Sequence, residues 1–300
     1  MAVLDDLAAS LEGAITARTP DLLSRKPVDR YIRLLDEIPT ASYAEQAPET
    51  QQWCEEISRE HGQATLESYH KLVLRTLMTG SESRAMGKCY PDSIRGLFAK
   101  EFQIITEELS YKSQNCYVYS QDQFCKDLGI CRQILIPCGV QLAATVKRLP
   151  LRYFITTRVR HSVLLVDFVC RKLGSFGPLF NYYNHRRAFL EFNPDGWKAC
   201  YLRTAELLQL NPSVRGVFGS SWWFDPKVAE VSPRFGFIRE LPEEHGARVF
   251  NLGEDEESTQ NALINSLERQ RLHSAGAYKP KRYLMIWARN DLLHWAARER

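Results

Sequence analysis

The chain has 300 residues, of which 44% are hydrophobic and 25% charged, with 39 bases against 36 acids. That length has room for one large domain or two modest ones around a sizeable core. The composition excludes a disordered, collagenous or coiled-coil chain, and a net charge of +3 is too small to point to nucleic acid. The N-terminus "MAVLDDLAASLEG" carries two early acids and no cationic start, unlike a secretory signal. No apolar run reaches the ~18 residues of a membrane span. The eight cysteines include no C-x-x-C pair, so they read as reduced, mostly buried thiols rather than a zinc site or disulfide scaffold. These features together predict a cytoplasmic protein with peripheral membrane contact left open.

In chain order, residues 1–110 read as a helical region. "VDRYIRLLDEI" places Tyr31, Leu34, Leu35 and Ile38 on one helix face,. "TQQWCEEISREHG" and "TLESYHKLVLRTLMTG" continue the pattern and stop at Gly62 and Gly80,. "SIRGLFAKEFQIITEEL" follows. From about residue 130 the texture turns β-branched and aromatic. "RQILIPCGVQLAATV", "RYFITTRVR", "HSVLLVDFVCRKLG" and "GPLFNYYNHRRAFLEF" predict strands. A helix is then predicted over 193–211, with Pro194 at its start and Asn211-Pro212 ending it,. A buried strand is predicted over 214–224. Asp225-Pro226 and Ser232-Pro233 signal helix starts,. A short strand "ARVFNLG", one long helix over "EDEESTQNALINSLERQRLHSAG" and a last strand "KRYLMIWA" complete the chain.

Three stretches are candidates for chemistry. Between Lys147 and Arg187 there are nine bases and one acid, Asp167. Arg158 and Arg160, two apart, share one face if the segment is a strand, and with Arg186 and Arg187 they form a candidate surface for phosphate or an acidic partner. The alternative is a charged sheet edge that blocks aggregation. "NYYNHRR" puts His185 beside Tyr182 and Tyr183, with Asn181 and Asn184 along the same strand. A histidine there can act as a general base, or be a hydrogen-bonded structural residue. "GVFGSSWWFDP" sets Ser220 and Ser221 against Trp222 and Trp223. Adjacent tryptophans on a strand face opposite sides, and the small residues leave room for an extended ligand or for a tightly packed helix. The spacing is not the G-x-S-x-G elbow of a serine nucleophile. No H-E-x-x-H or phosphate-loop motif is present, so no metal is expected.

From about residue 150, the order "GPLFNYYNHRRAFLEF", helix, "GVFGSSWWF", helix, "ARVFNLG" resembles the second half of the acyl-CoA N-acyltransferase (GNAT-like) fold. In that family two central parallel strands splay, and the pantetheine arm of a thioester lies between them. The resemblance implies that "LFNYYNH" and "GVFGSSWWF" form the two walls. His185 would then be the base, Tyr182 or Tyr183 the acid for the leaving thiol, and Asn181, Asn184, Ser220, Ser221 and a tryptophan the lining. The family's glycine-rich diphosphate loop has no counterpart in "FNPDGWKAC", and its leaving-thiol tyrosine none in "DPKVAEVSPRFGFIREL". The donor is therefore either acyl-CoA or an acyl carrier protein thioester meeting the basic cluster, with no bound cofactor, and the acceptor an amine. A bacterial N-acyltransferase acting on a lipid-like amine fits. The expected architecture is α/β (α+β): a helical region over 1–110, then a GNAT-like mixed sheet flanked by helices over 111–300. The competing class is a non-catalytic binding or adaptor protein on a degenerate acyltransferase fold.

Overall fold

The apolar spacings of the N-terminal part fold as helices. In the computed structural model, which describes residues 2–37, 43–45, 47–80, 90–111, 116–156 and 159–299, the chain divides into two units, Met1–Pro137 and Cys138–Arg300. The first unit contains α1 (Ala2–Arg18), α2 (Leu22–Arg25), α3 (Val28–Glu37), α4 (Pro48–His61), α5 (Gln63–Thr79), α6 (Asp92–Tyr111) and α7 (Asp122–Cys131), and closes with a two-residue strand, β1 (Ile136–Pro137). Gly62 ends α4 with a positive φ of 82°, a conformation that costs glycine little. Of the expected stripe on α3, Tyr31 and Leu35 are buried, while Ile38 lies outside the described residues. The most central helix is α5, with Tyr69, Val73, Leu74 and Leu77 fully buried.

The second unit is a mixed sheet covered on both faces. Its elements are β2 (Gln141–Val146), α8 (Arg152–Thr156), α9 (Val159–Phe168), β3 (Leu179–Asn184), α10 (Pro194–Leu210), β4 (Gly216–Ser221), α11 (Lys227–Val231), α12 (Phe237–Glu244), β5 (Arg248–Gly253), α13 (Glu256–Leu263), α14 (Leu267–Ser274), β6 (Arg282–Ala288) and α15 (Arg289–Glu299). The strands of this unit run in the order β2-β3-β4-β6-β5. All neighbours are antiparallel except β3 and β4, which are parallel. Period-two alternation sorts the side chains. Leu179, Phe218, Phe250, Leu284 and Ile286 lie on one face, in a core with Leu149, Tyr153, Leu165 and Phe168 of the α8–α9 layer. On the other face Tyr182 and Trp287 meet Tyr201 of α10, and Trp287 meets Trp295 of α15.

Four sequence expectations need correction. "RYFITTRVR" and "HSVLLVDFVCRKLG" are not strands but α8, α9 and a π-helical turn, Val169–Leu173. Leu165, Phe168, Val169 and Leu173 recur at near-helical spacing and are the buried set, and that burial outweighs the β preference of the valines. Arg160 is therefore helical and the shared strand face with Arg158 does not exist; Arg158 itself lies outside the described residues. The strand through "NYYNHRR" ends at Asn184, and Arg186–Glu191 form a 3-10 helix. The strand through "SSWWF" ends at Ser221, because Trp222–Phe224 turn in a 3-10 helix capped by the Ser221 hydroxyl. The long helix expected after residue 253 is two, broken where Ser266 caps the second by accepting from the Arg269 N–H at 3.3 Å.

Candidate functional site

The registered pairing of the parallel strands at the middle of the sheet is short. Its register covers only Phe180 with Val217 and Asn181 with Phe218. Beyond that point Tyr182–Asn184 stay laddered to β2, and Gly219–Ser221 stay laddered to β6. The facing edges of 182–184 and 219–221 are thus not paired with each other. Strand edges that are not laddered to each other are where an extended ligand can add its own amides.

On the α8–α9 face of the opening, Ser220 is held by two side chains. The Arg282 guanidinium donates to its Oγ through Nη2 at 3.0 Å and Nε at 3.3 Å, and the Tyr153 hydroxyl lies 3.2 Å from the same atom. Either hydroxyl can donate in the Ser220–Tyr153 contact. Arg282 also pairs with the exposed Glu257 at 3.5 Å. Sequence reasoning missed both partners. Tyr153 sits in the segment misread as a strand, and Arg282 was legible only as the first residue of the last strand.

On the α10 face, Tyr182 crosses under the helix and donates to Thr204 Oγ1 at 2.8 Å. Burial raises its phenol well above the ordinary range. A Cβ at Gly219 would lie 3.4 Å from Tyr182 Cβ, so this side of the opening is narrow. Tyr183 is half-buried on the opposite face, and Asn184 accepts from Gln141 Nε2 at 3.3 Å.

His185 is buried just past the end of β3. Its backbone N–H donates to the Val140 carbonyl at 3.1 Å, and Nδ1 donates to the Gly139 carbonyl at 3.0 Å. A carbonyl can only accept, so Nδ1 carries a proton, and in the tautomer with a single ring proton the lone pair lies on Nε2. The two tryptophans separate. Trp222 turns into a pocket with Val228 and Ala262, under the Arg269 guanidinium at 4.9 Å. Trp223 reaches the segment that follows β3, with its ring 4.8 Å from Phe192 and 6.3 Å from Trp197. The C-terminal ends of β3 and β4 are thus bridged by an aromatic contact. Trp223 also lines a cavity of about 210 Å³ with Asp225, Arg239 and Glu240. Asp225 is committed to structure, accepting from the backbone N–H groups of Lys227 and Lys281 at 3.1 Å each, and burial raises its carboxyl.

The first turn of α10, where a diphosphate cradle would lie, is already occupied. Asn193 accepts from the Gly196 N–H at 2.9 Å, and a Cβ on Gly196 would fall 1.8 Å from the Glu191 carbonyl oxygen. Arg186 is exposed on the preceding 3-10 helix and Arg187 half-buried.

No family model matches the chain, and no curated protein sequence does so significantly. Solved structures do. One acyltransferase in complex with decanoyl-CoA and teicoplanin superposes with a TM-score of 0.52 at 13% identity, covering 91% of this chain and 80% of that one. The fold is shared with a solved acyltransferase. An acyltransferase with CoA and 10C-teicoplanin matches equally well, and a mutant acyltransferase with octanoyl-CoA gives 0.50 at 14% identity. The match to this acyltransferase fold is not confined to the C-terminal half, as the order of elements implied, but extends over 91% of the chain.

Proposed function

We propose that the chain is an acyltransferase that moves an acyl group from a thioester to the amine of a small or lipid-like molecule. The observation that supports this reading is the short pairing of β3 and β4, over two registered pairs, in a fold shared with an acyltransferase solved with decanoyl-CoA. The pantetheine arm would lie along 182–184 and 219–221. Asn181, Asn184, Ser220 and Ser221 belong to the walls, and Trp223 closes one end. With the first turn of α10 filled by Asn193 and Glu191, the donor's anionic end turns to Arg186 and Arg187, whether it is CoA or an acyl carrier protein.

The chemistry is a transfer between nucleophiles. His185 Nε2 takes a proton from the incoming amine. The amine nitrogen bonds to the thioester carbonyl carbon, and backbone N–H groups of β4 receive the charge that develops on oxygen. The carbon–sulfur bond then breaks, and the thiolate collects a proton from Tyr183. Tyr182 is the poorer acid, since its hydroxyl is given to Thr204.

The test uses purified protein with decanoyl-CoA or an acyl carrier thioester, and an acceptor panel of long-chain amines, amino sugars and teicoplanin. Amine-dependent thiol release with a new amide by mass is expected. Absence of amide from every pair overturns the reading. His185→Ala is expected to lower kcat by about 10²–10⁴, and a loss below about tenfold removes His185 as the base.

A further inference from the structure

The layer that covers one face of the sheet carries an unusual outer surface. Tyr153, Leu165, Phe168 and Val169 of this layer point into the core against the strands. Many of the side chains that point away from them are apolar as well. Leu151, Ile155, Val163, Leu164, Val166 and Phe176 are all exposed, Ile155 to 80% and Val163 to 63%. These six are more than half of the eleven large apolar side chains exposed among the described residues. The segments are tied into one plate: Ser162 Oγ donates to the Phe154 carbonyl at 2.8 Å, Leu149 N–H donates to the Phe176 carbonyl at 2.7 Å, and the Phe154 and Phe176 rings lie 5.7 Å apart. Scattered apolar residues on a surface need no explanation, whereas a contiguous group rimmed by charge marks an interaction site.

The rim is cationic. Lys147, Arg148, Arg152, Arg171 and Lys172 are exposed around the plate. Two of these bases meet acids: Arg171 pairs with Asp167 at 2.5 Å and Lys172 with Asp291 at 3.3 Å. No described helix is long and apolar enough to cross a membrane. Short helices with an apolar outer face and basic neighbours have the composition of elements that lie in the interface of an anionic bilayer, with the apolar side chains among the acyl chains and the bases at the headgroups.

We propose that the outer face formed by Leu151, Ile155, Val163, Leu164, Val166 and Phe176 docks on an anionic lipid surface. The exposed aliphatic side chains favour lipid over an acidic protein, which would be met by charge with fewer bare Ile, Val and Leu residues. The docking is independent of acyl transfer and is read without any turnover.

The experiment is co-sedimentation of the full chain with vesicles of phosphatidylcholine alone and of phosphatidylcholine with phosphatidylglycerol. Binding to the anionic vesicles only is expected, weakening as salt rises from about 50 mM to about 500 mM. Lys147→Ala with Arg148→Ala is expected to lower affinity by roughly 20- to 30-fold, at about fivefold for each base removed. Ile155→Ser with Leu164→Ser is expected to lower it by roughly tenfold or more. These are exposed positions, so the far-UV spectrum and melting midpoint stay unchanged. No binding to anionic vesicles, equal binding to neutral ones, or binding indifferent to both double substitutions overturns the proposal. So does capture of an acidic carrier protein by the same face with no vesicle binding.

Discussion

His70 shows how one buried ring sets a pH dependence. It lies in the first unit, stacked on Phe124 at 4.8 Å, with Nδ1 donating to the Tyr117 carbonyl at 2.6 Å. Its Nε2 faces the Tyr31 hydroxyl and the Cys54 thiol, each at 3.4 Å. Tyr31 in turn contacts Tyr119 at 2.9 Å. Burial lowers the His70 pKa from the ordinary 6.5 to about 4 and pushes the Cys54 thiol up to about 11, so both groups are neutral. Below pH 6.5 the unfolded chain binds a proton that folded His70 refuses until about pH 4. Stability therefore holds above pH 6.5 and falls as pH drops through that window, by about 3 kcal/mol in all. Ring-proton NMR should show His70 titrating near pH 4; a midpoint near 6.5 would refute this. At the sheet, Tyr182→Phe deletes the hydrogen bond to Thr204 and is expected to cost about 1 kcal/mol in urea unfolding, with little loss of turnover. A large kcat loss in the folded variant would instead return Tyr182 to the chemistry. Residue identity was readable at His185, Ser220 and Trp223, but their partners were not. Tyr153 and Arg282 are 67 and 62 positions from Ser220, and no local pattern joins them.

At the scale of elements, helix ends were the most legible feature. Asn193-Pro194 predicted the start of α10, and the structure places the cap there. Asn193→Ala is expected to cost about 1 kcal/mol. Gly196→Ala should cost more, about 3 kcal/mol, because its new methyl meets the Glu191 carbonyl rather than space. Denaturation midpoints in urea decide the order, and equal costs would mean that the turn before α10 yields. The α8–α9 segment was the least legible. Its valines and isoleucines suit a strand by propensity, yet Ile155, Val163 and Val166 are left in solvent while the helically spaced Leu165, Phe168 and Val169 are buried. A reading that assumes apolar residues face inward has no means of finding a layer with two apolar sides.

For the whole molecule, the α/β class and the four strands after residue 178 were visible, because each strand is bounded by turn or cap residues, whereas the break between α13 and α14 and the helix α15 after the last strand were not. The short pairing of β3 and β4 was not visible, since it is a property of two strands 37 residues apart. The packing also predicts a pattern of thiol reactivity. Cys170 is exposed, whereas Cys54, Cys125, Cys131, Cys138 and Cys200 are buried, and burial pushes the Cys138 thiol up to about 12. Alkylation followed by peptide mass analysis should mark Cys170 long before these five; early labelling of Cys138 would contradict the second unit's core. The opening between the central strands carries one more implication. A ligand gripped by main-chain amides and carbonyls makes its demands on the angle between two strands and few on the letters that build them. Selection acting through such a grip lets the alphabet drift while the geometry stays. Chains that agree at 13% of positions over 91% of this one can then share a fold that no motif spells out.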